Sequence, residues 1–313
     1  MTFYLSLWLP KRYVARTCGI FFIAVPLTTV IGAPLSTSIL QLGGAAGLRG
    51  WQWLFLIEGV PAILLAVAAL FYLTDRPKDA AWLSEAQRNS LTRILGGEHA
   101  SIERHTNRHT IGQALCNPRV LQLCVVYFCI VVGLYGVGFW IPQIVRQTGL
   151  TTMQTGYVAA IPYVFASLGC SLWGRHSDLK GERRWHLIGA ATLAAVGLAA
   201  SGTVGQPVVA IAALCVAAAG IYAVLPVFWS FPLSILTGSG AAAGIALINS
   251  VGNLGGFVGP YAVGWLKQAT GGFEVPLLFL SGSMLIGALI VFACVRDPLR
   301  HKDSDAQRNV ATN

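Results

Sequence analysis

Charge is scarce in this chain. Only 11% of its 313 residues are Asp, Glu, Lys or Arg, against roughly 25% in a soluble domain. Residues 185–266 contain none. So few ionised side chains cannot clothe a water-facing surface, which excludes an ordinary soluble fold. Acids are rarer than bases, 12 against 21. One acid alone, Glu58, falls near the interior of an apolar run. The runs also lack clustered histidines, which excludes the converging groups that a membrane-embedded enzyme needs. None of the seven cysteines (Cys18, Cys116, Cys124, Cys129, Cys170, Cys215, Cys294) belongs to a CxxC pair. Nearly all lie in or beside apolar runs, so they read as small packing residues, with no disulfide framework and no metal motif. His105 and His109 are spaced for one helix face, but no third ligand accompanies them, and no metal or cofactor is expected. No cleavable leader is visible.

What remains is overwhelmingly apolar. Hydrophobic residues make up 55% of the chain, and the mean hydropathy is +0.65. A bilayer-crossing helix needs about 20 apolar residues. Eight such spans are predicted, near 17–41, 52–73, 119–142, 155–174, 186–204, 208–232, 242–266 and 275–295. An N-terminal stub, MTFYLSLWLPKRYVAR, is half an apolar span ending in a basic cluster. All spans should be helices, because lipid offers no partner for an open backbone group. The expected fold class is an all-α integral membrane protein.

The net charge of +9 is a topology signal and not a nucleic-acid surface. Of the 21 Lys and Arg residues, only Arg49, Arg146 and Lys267 fall on one side of the predicted spans. The rest fall on the other, which the positive-inside rule makes cytoplasmic. An even number of spans then puts the stub and the C-terminal tail both inside. The expected location is the cell inner membrane, multi-pass.

Residues 174–184 read GRHSDLKGERR between two apolar runs. Gly174, Asp178, Gly181 and the pair Arg183 and Arg184 resemble the loop signature G-x-x-x-D-x-x-G-[RK]-[RK] of the major facilitator superfamily, with Glu182 inserted before the arginines. WQWLFLIEG at 51–59, DRPKDAAWLSEAQR at 75–88 and YGVGFWIPQIV at 135–145 are similar to the anion:cation symporter branch, which includes tartrate, phthalate and hexuronate permeases. The resemblance implies a secondary transporter. It would carry a small organic anion with a coupling cation, the proton first, by alternating access, as a monomer in the lipid bilayer.

The resemblance also implies a register. The complete spans correspond to family helices 5 to 12, and the first three to four helices are absent. Residues 1–73 would be a remnant of the N-terminal bundle, 74–118 the central cytoplasmic loop, 119–295 the C-terminal six-helix bundle and 296–313 a cytoplasmic tail. An inactive fragment, from a mis-set start or a gene fragment, is the alternative reading.

In the family the 174–184 loop latches helix ends, so Gly174, Asp178, Gly181, Arg183 and Arg184 are candidates for a gating loop. In the spans, polar groups are functional candidates. Asn249 and Asn253 lie four apart on one helix face, with Ser250 beside them on a glycine-rich helix. Tyr127, Tyr222 and Trp229 provide aromatic walls. By position, Trp229 and Asn249 match family residues that line a sugar-acid cavity. Helix–helix contacts and interfacial anchoring are the competing roles. The stretch Ala24-Val25-Pro26-Leu27 is apolar where relatives often offer a polar group, which favours a less hydroxylated anion. Glu58 is a structural anchor or a coupling group.

Overall fold

The computed structural model describes residues 4, 8–9, 11–105, 117–235 and 239–294. Among them there is no strand. The described residues form ten α-helices, α1 (Lys11–Leu40), α2 (Gly50–Tyr72), α3 (Glu85–His105), α4 (Pro118–Arg146), α5 (Thr152–Lys180), α6 (Arg184–Thr203), α7 (Pro207–Ile235), α8 (Ser239–Asn253), α9 (Gly255–Thr270) and α10 (Glu274–Cys294), with short 3-10 turns at Ala45–Gly47 and Pro77–Asp79. Seven of the described helices are long and apolar enough to cross a membrane.

Local sequence fixes several starts. Asn117 caps α4 by accepting from the Arg119 N–H at 2.9 Å, and Pro118 occupies the first turn, where its missing donor costs nothing. Thr151 and Gln154 form a reciprocal capping box on α5, which satisfies two otherwise orphaned N–H groups. Ser84 and Gln87 exchange the same two bonds at the head of α3.

The bundle is held by close helix contact. α6 lies between α7 and α10, α7 also packs on α5, and α4 meets α8, α9 and α10. Ala190, Ala191, Ala194 and Ala195 of α6 are buried, as are Leu214, Ala217, Ala218 and Ile221 of α7. Small side chains let these backbones approach, which is how helices gain contact energy where lipid removes the hydrophobic drive. α1 packs on α5, with Thr37 seated against Gly156.

α2 behaves differently. None of its residues is buried, and it packs on α1. Leu70, Phe71 and Tyr72 are more than four-fifths exposed. So apolar and so bare a helix needs lipid or further protein around it.

Two sequence expectations change. The span expected at 242–266 is not one helix. It breaks between Asn253 and Gly255 into α8 and α9, where the Leu254 N–H reaches back three residues to the Val251 carbonyl. The first apolar span lies at Phe21–Leu40, in keeping with the expected 17–41, but the helix that carries it, α1, already begins at Lys11. The basic cluster Lys11, Arg12 and Arg16 therefore lies within the helix and not in a loop before it. Cys116, His109 and the tail 296–313 lie outside the described residues.

Candidate functional site

Tyr127, on α4, is the centre of an aromatic group. Its ring stacks on Phe228 of α7, with centroids 5.0 Å apart and planes 11° from parallel. Trp229 meets the same ring edge-on at 5.0 Å and 70°. α8 closes against it from another side, since a Cβ on Gly252 would enter the Tyr127 ring. Gly255 and Gly259 continue that contact, their Cα atoms pressed to the α4 backbone at Phe128 and Val132. Glycine is needed here for close approach. The break after Asn253 therefore sits where the helix leans on α4.

Asn249, Ser250 and Asn253 are exposed on α8. The Asn253 side-chain amide donates to the Asn249 carbonyl at 2.8 Å and to the Asn249 Oδ1 at 3.0 Å. This leaves the Asn249 amide donors and the Asn253 Oδ1 as the outward polar groups of the pair. Tyr222 lies elsewhere. It is buried and pairs edge-on with Tyr163 of α5 at 6.0 Å, and the Tyr163 hydroxyl approaches the Gly138 carbonyl at 3.5 Å.

The structure thus brings Tyr127 and Trp229 into contact, joins Asn249 to Asn253, and sets Tyr222 in a second aromatic pair. Sequence reading missed Phe228 and Tyr163. Phe228 is flanked by the noted Trp229, and Tyr163 follows Pro162 midway along its span, which were the available signals.

Glu58 accepts from the Ser36 hydroxyl of α1 at 2.5 Å. It ties α2 to α1, and earlier on α2 the Trp53 indole donates to the Ala45 carbonyl at 3.1 Å.

The 174–184 segment ends α5 and starts α6. Gly181 has φ +61°, a left-handed turn that suits glycine. The Glu182 N–H returns to the Ser177 carbonyl and the Gly181 N–H to that of Asp178, both at 3.3 Å. Asp178 pairs with Arg183 at 3.5 Å. Gly174 packs against Pro226 of α7, whose Cγ would lie 3.4 Å from an added Cβ. Arg184 donates to the Phe292 carbonyl of α10 and lies over the Trp185 and Phe292 rings at 5.7 and 5.6 Å. The segment therefore fastens α5, α6 and α10 together.

At the other end of the bundle, the Lys267 ammonium sits 5.0 Å from the Trp140 ring and 4.5 Å from Phe273. It also donates to Gln143 at 3.1 Å. Among the described residues no group of three or more His, Cys, Asp or Glu converges as a metal site.

Comparison with known proteins agrees with this architecture. The Major Facilitator Superfamily model matches residues 1–260. Two proteins of Agrobacterium vitis, each named "Putative tartrate transporter", are 45% and 46% identical over 94% of this chain. The chain spans 65% and 67% of their lengths. The solved proton:xylose symporter XylE has the same fold, with a TM-score of 0.71, 18% identity, and coverage of 95% of this chain and 67% of that one. These relatives are transporters and not enzymes. The chain is a multi-pass membrane protein belonging to the major facilitator superfamily.

Proposed function

We propose that this chain forms the larger part of a secondary transporter that moves a small carboxylate, of the tartrate class, together with a proton. In this reading residues 119–295 are one bundle and 1–73 belong to the other, joined by 74–118. The substrate lies between the bundles near the membrane midplane. Residues 296–313 face the cytoplasm of a cell whose inner membrane holds the monomeric protein.

The observation that carries the proposal is the α4–α7–α8 face. The half-buried Trp229, backed by the buried Tyr127, makes a rigid aromatic wall, and the exposed Asn249 and Asn253 offer amide donors and one side-chain carbonyl on α8. Such a surface suits a small acid with hydrogen-bonding edges. Every Lys and Arg of the described bundle helices lies towards a helix end. This face therefore binds through neutral hydrogen bonds and ring contact, and the carboxylate charge is met by groups on other elements. The two relatives named for tartrate support the substrate class.

The test is uptake of labelled tartrate, phthalate and a hexuronate into vesicles holding the protein, with and without an inward proton gradient. Gradient-driven uptake of one class, reduced about tenfold or more by Trp229→Ala, is expected. No uptake of any carboxylate under either condition overturns the proposal.

A further inference from the structure

Three titratable side chains form an unbroken line across the α5–α6 hinge. His176 stands in the last turns of α5, exposed, and its Nδ1 is 2.8 Å from Nε2 of His186 in the first turn of α6. His186 is buried, and its Nδ1 is 2.6 Å from the Glu182 Oε2. The other Glu182 oxygen accepts the Trp185 N–H at 2.6 Å. The surroundings hold the line in place. The Trp173 indole donates to the His186 carbonyl at 2.9 Å, and the Ser177 hydroxyl donates to the Glu182 carbonyl at 2.7 Å.

Proton counting shows what this line tolerates. With both imidazoles neutral, His186 donates Nδ1–H to Glu182 and accepts at Nε2 from the Nδ1–H of His176. One added proton goes to the His176 Nε2, which faces away, and every hydrogen bond survives. A second added proton puts an N–H on both facing nitrogens. Two donors cannot share a 2.8 Å contact, and two cationic rings repel, so the contact between the helices must open.

Other charged neighbours are few. Asp178 is paired with Arg183, Arg184 reaches α10, and Arg175 and Lys180 are exposed. α7 contributes Pro226 and no charged residue. α10 contributes Phe292 and Cys294 at this end, its Glu274 being at the other. α1, packed on α5, carries Lys11, Arg12 and Arg16 in its first turns.

We propose that Glu182, His186 and His176 form a proton-counting brace. It holds the α5–α6 hinge closed near neutrality and releases it on acidification, so that pH at the basic end of the bundle regulates the loop. Histidine is suited to this because its charge changes between about pH 5 and pH 8.

The test is amide hydrogen exchange of the membrane-reconstituted chain, corrected for intrinsic pH dependence. The Glu182 and Trp185 amides are expected to lose protection about tenfold between about pH 8 and pH 5. In His176→Gln, which keeps a donor and an acceptor but cannot charge, protection is expected to stay level. Asp178→Asn is expected to keep the wild-type pH response. Level protection in the wild type, an unchanged response in His176→Gln, or its loss in Asp178→Asn overturns the proposal. Labelled histidine spectra need no variant. The N–H···N coupling between the two rings should be present near neutrality and absent at about pH 5, and its absence at both overturns the brace.

Discussion

The side-chain amide of Asn253 donates to the backbone carbonyl of Asn249 one turn earlier, at 2.8 Å, at the point where α8 stops and α9 begins. Asn253 therefore supports the broken helix and orients Asn249 at once. Asn253→Asp removes both donors and adds a negative charge on the face assigned to an anion. Carboxylate uptake is expected to fall about a hundredfold, while Asn253→Ser, which keeps one donor, is expected to lose about tenfold. Initial uptake rates at saturating and sub-saturating substrate check this.

Tyr127 separates packing from recognition. Tyr127→Phe keeps the stack on Phe228 and is expected to melt within a few degrees of the wild type, with weaker substrate binding. Tyr127→Ala opens a cavity among α4, α7 and α8. Large aromatic truncations of buried rings cost about 3–5 kcal/mol. Thermal unfolding in detergent, paired with a binding assay, should place the two variants on opposite sides.

Gly252 has no room for a side chain because the Tyr127 ring occupies it. Gly252→Ala is expected to cost about 1–3 kcal/mol through overpacking and to reduce uptake by displacing α8. Gly282 of α10 has no atom within 4 Å of an added Cβ, so Gly282→Ala serves as the control and should leave both stability and uptake unchanged.

Lys267 is set between Trp140 and Phe273. Lys267→Met keeps the aliphatic stem and loses the charge. It is expected to cost about 1 kcal/mol, whereas Lys267→Arg should retain most of the stability. Thermal melting with Trp140 fluorescence as the probe distinguishes them.

Hydropathy made the membrane class and most span positions legible, because chain length per crossing is fixed by bilayer thickness. It did not reveal the break at Leu254. A hydropathy window averages over Gly252, Gly255 and Gly259, and the α4 ring and carbonyls that lie against these glycines are distant in sequence. The start of α1 was missed for a related reason. Lys11, Arg12 and Arg16 lower the hydropathy without interrupting the helix, since long basic side chains continue a helix well.

Within the candidate site, Tyr127, Trp229 and Tyr222 were legible as aromatic residues on apolar helices. That Tyr127 meets Trp229 while Tyr222 meets Tyr163 was not, because helix rotation decides which ring faces which. The Glu182–His186–His176 line was hidden differently. Its members are near one another in sequence, but it takes the left-handed turn at Gly181 to bring His176 back onto His186.

The placement of charge towards the helix ends has an electrical consequence. From α4 to α10 the ionised side chains of the helices, Arg119, Arg146, Arg175, Asp178, Lys180, Arg184, Lys267 and Glu274, all lie in the first or last two turns, and Glu182 and Arg183 lie in the turn between α5 and α6. Moving one elementary charge through 100 mV is worth about 2.3 kcal/mol. In the proposed transport cycle, a rearrangement of these helices would carry no fixed charge through the middle of the field. On that reading the membrane voltage would have little grip on the empty bundle and would act chiefly through the ions it binds.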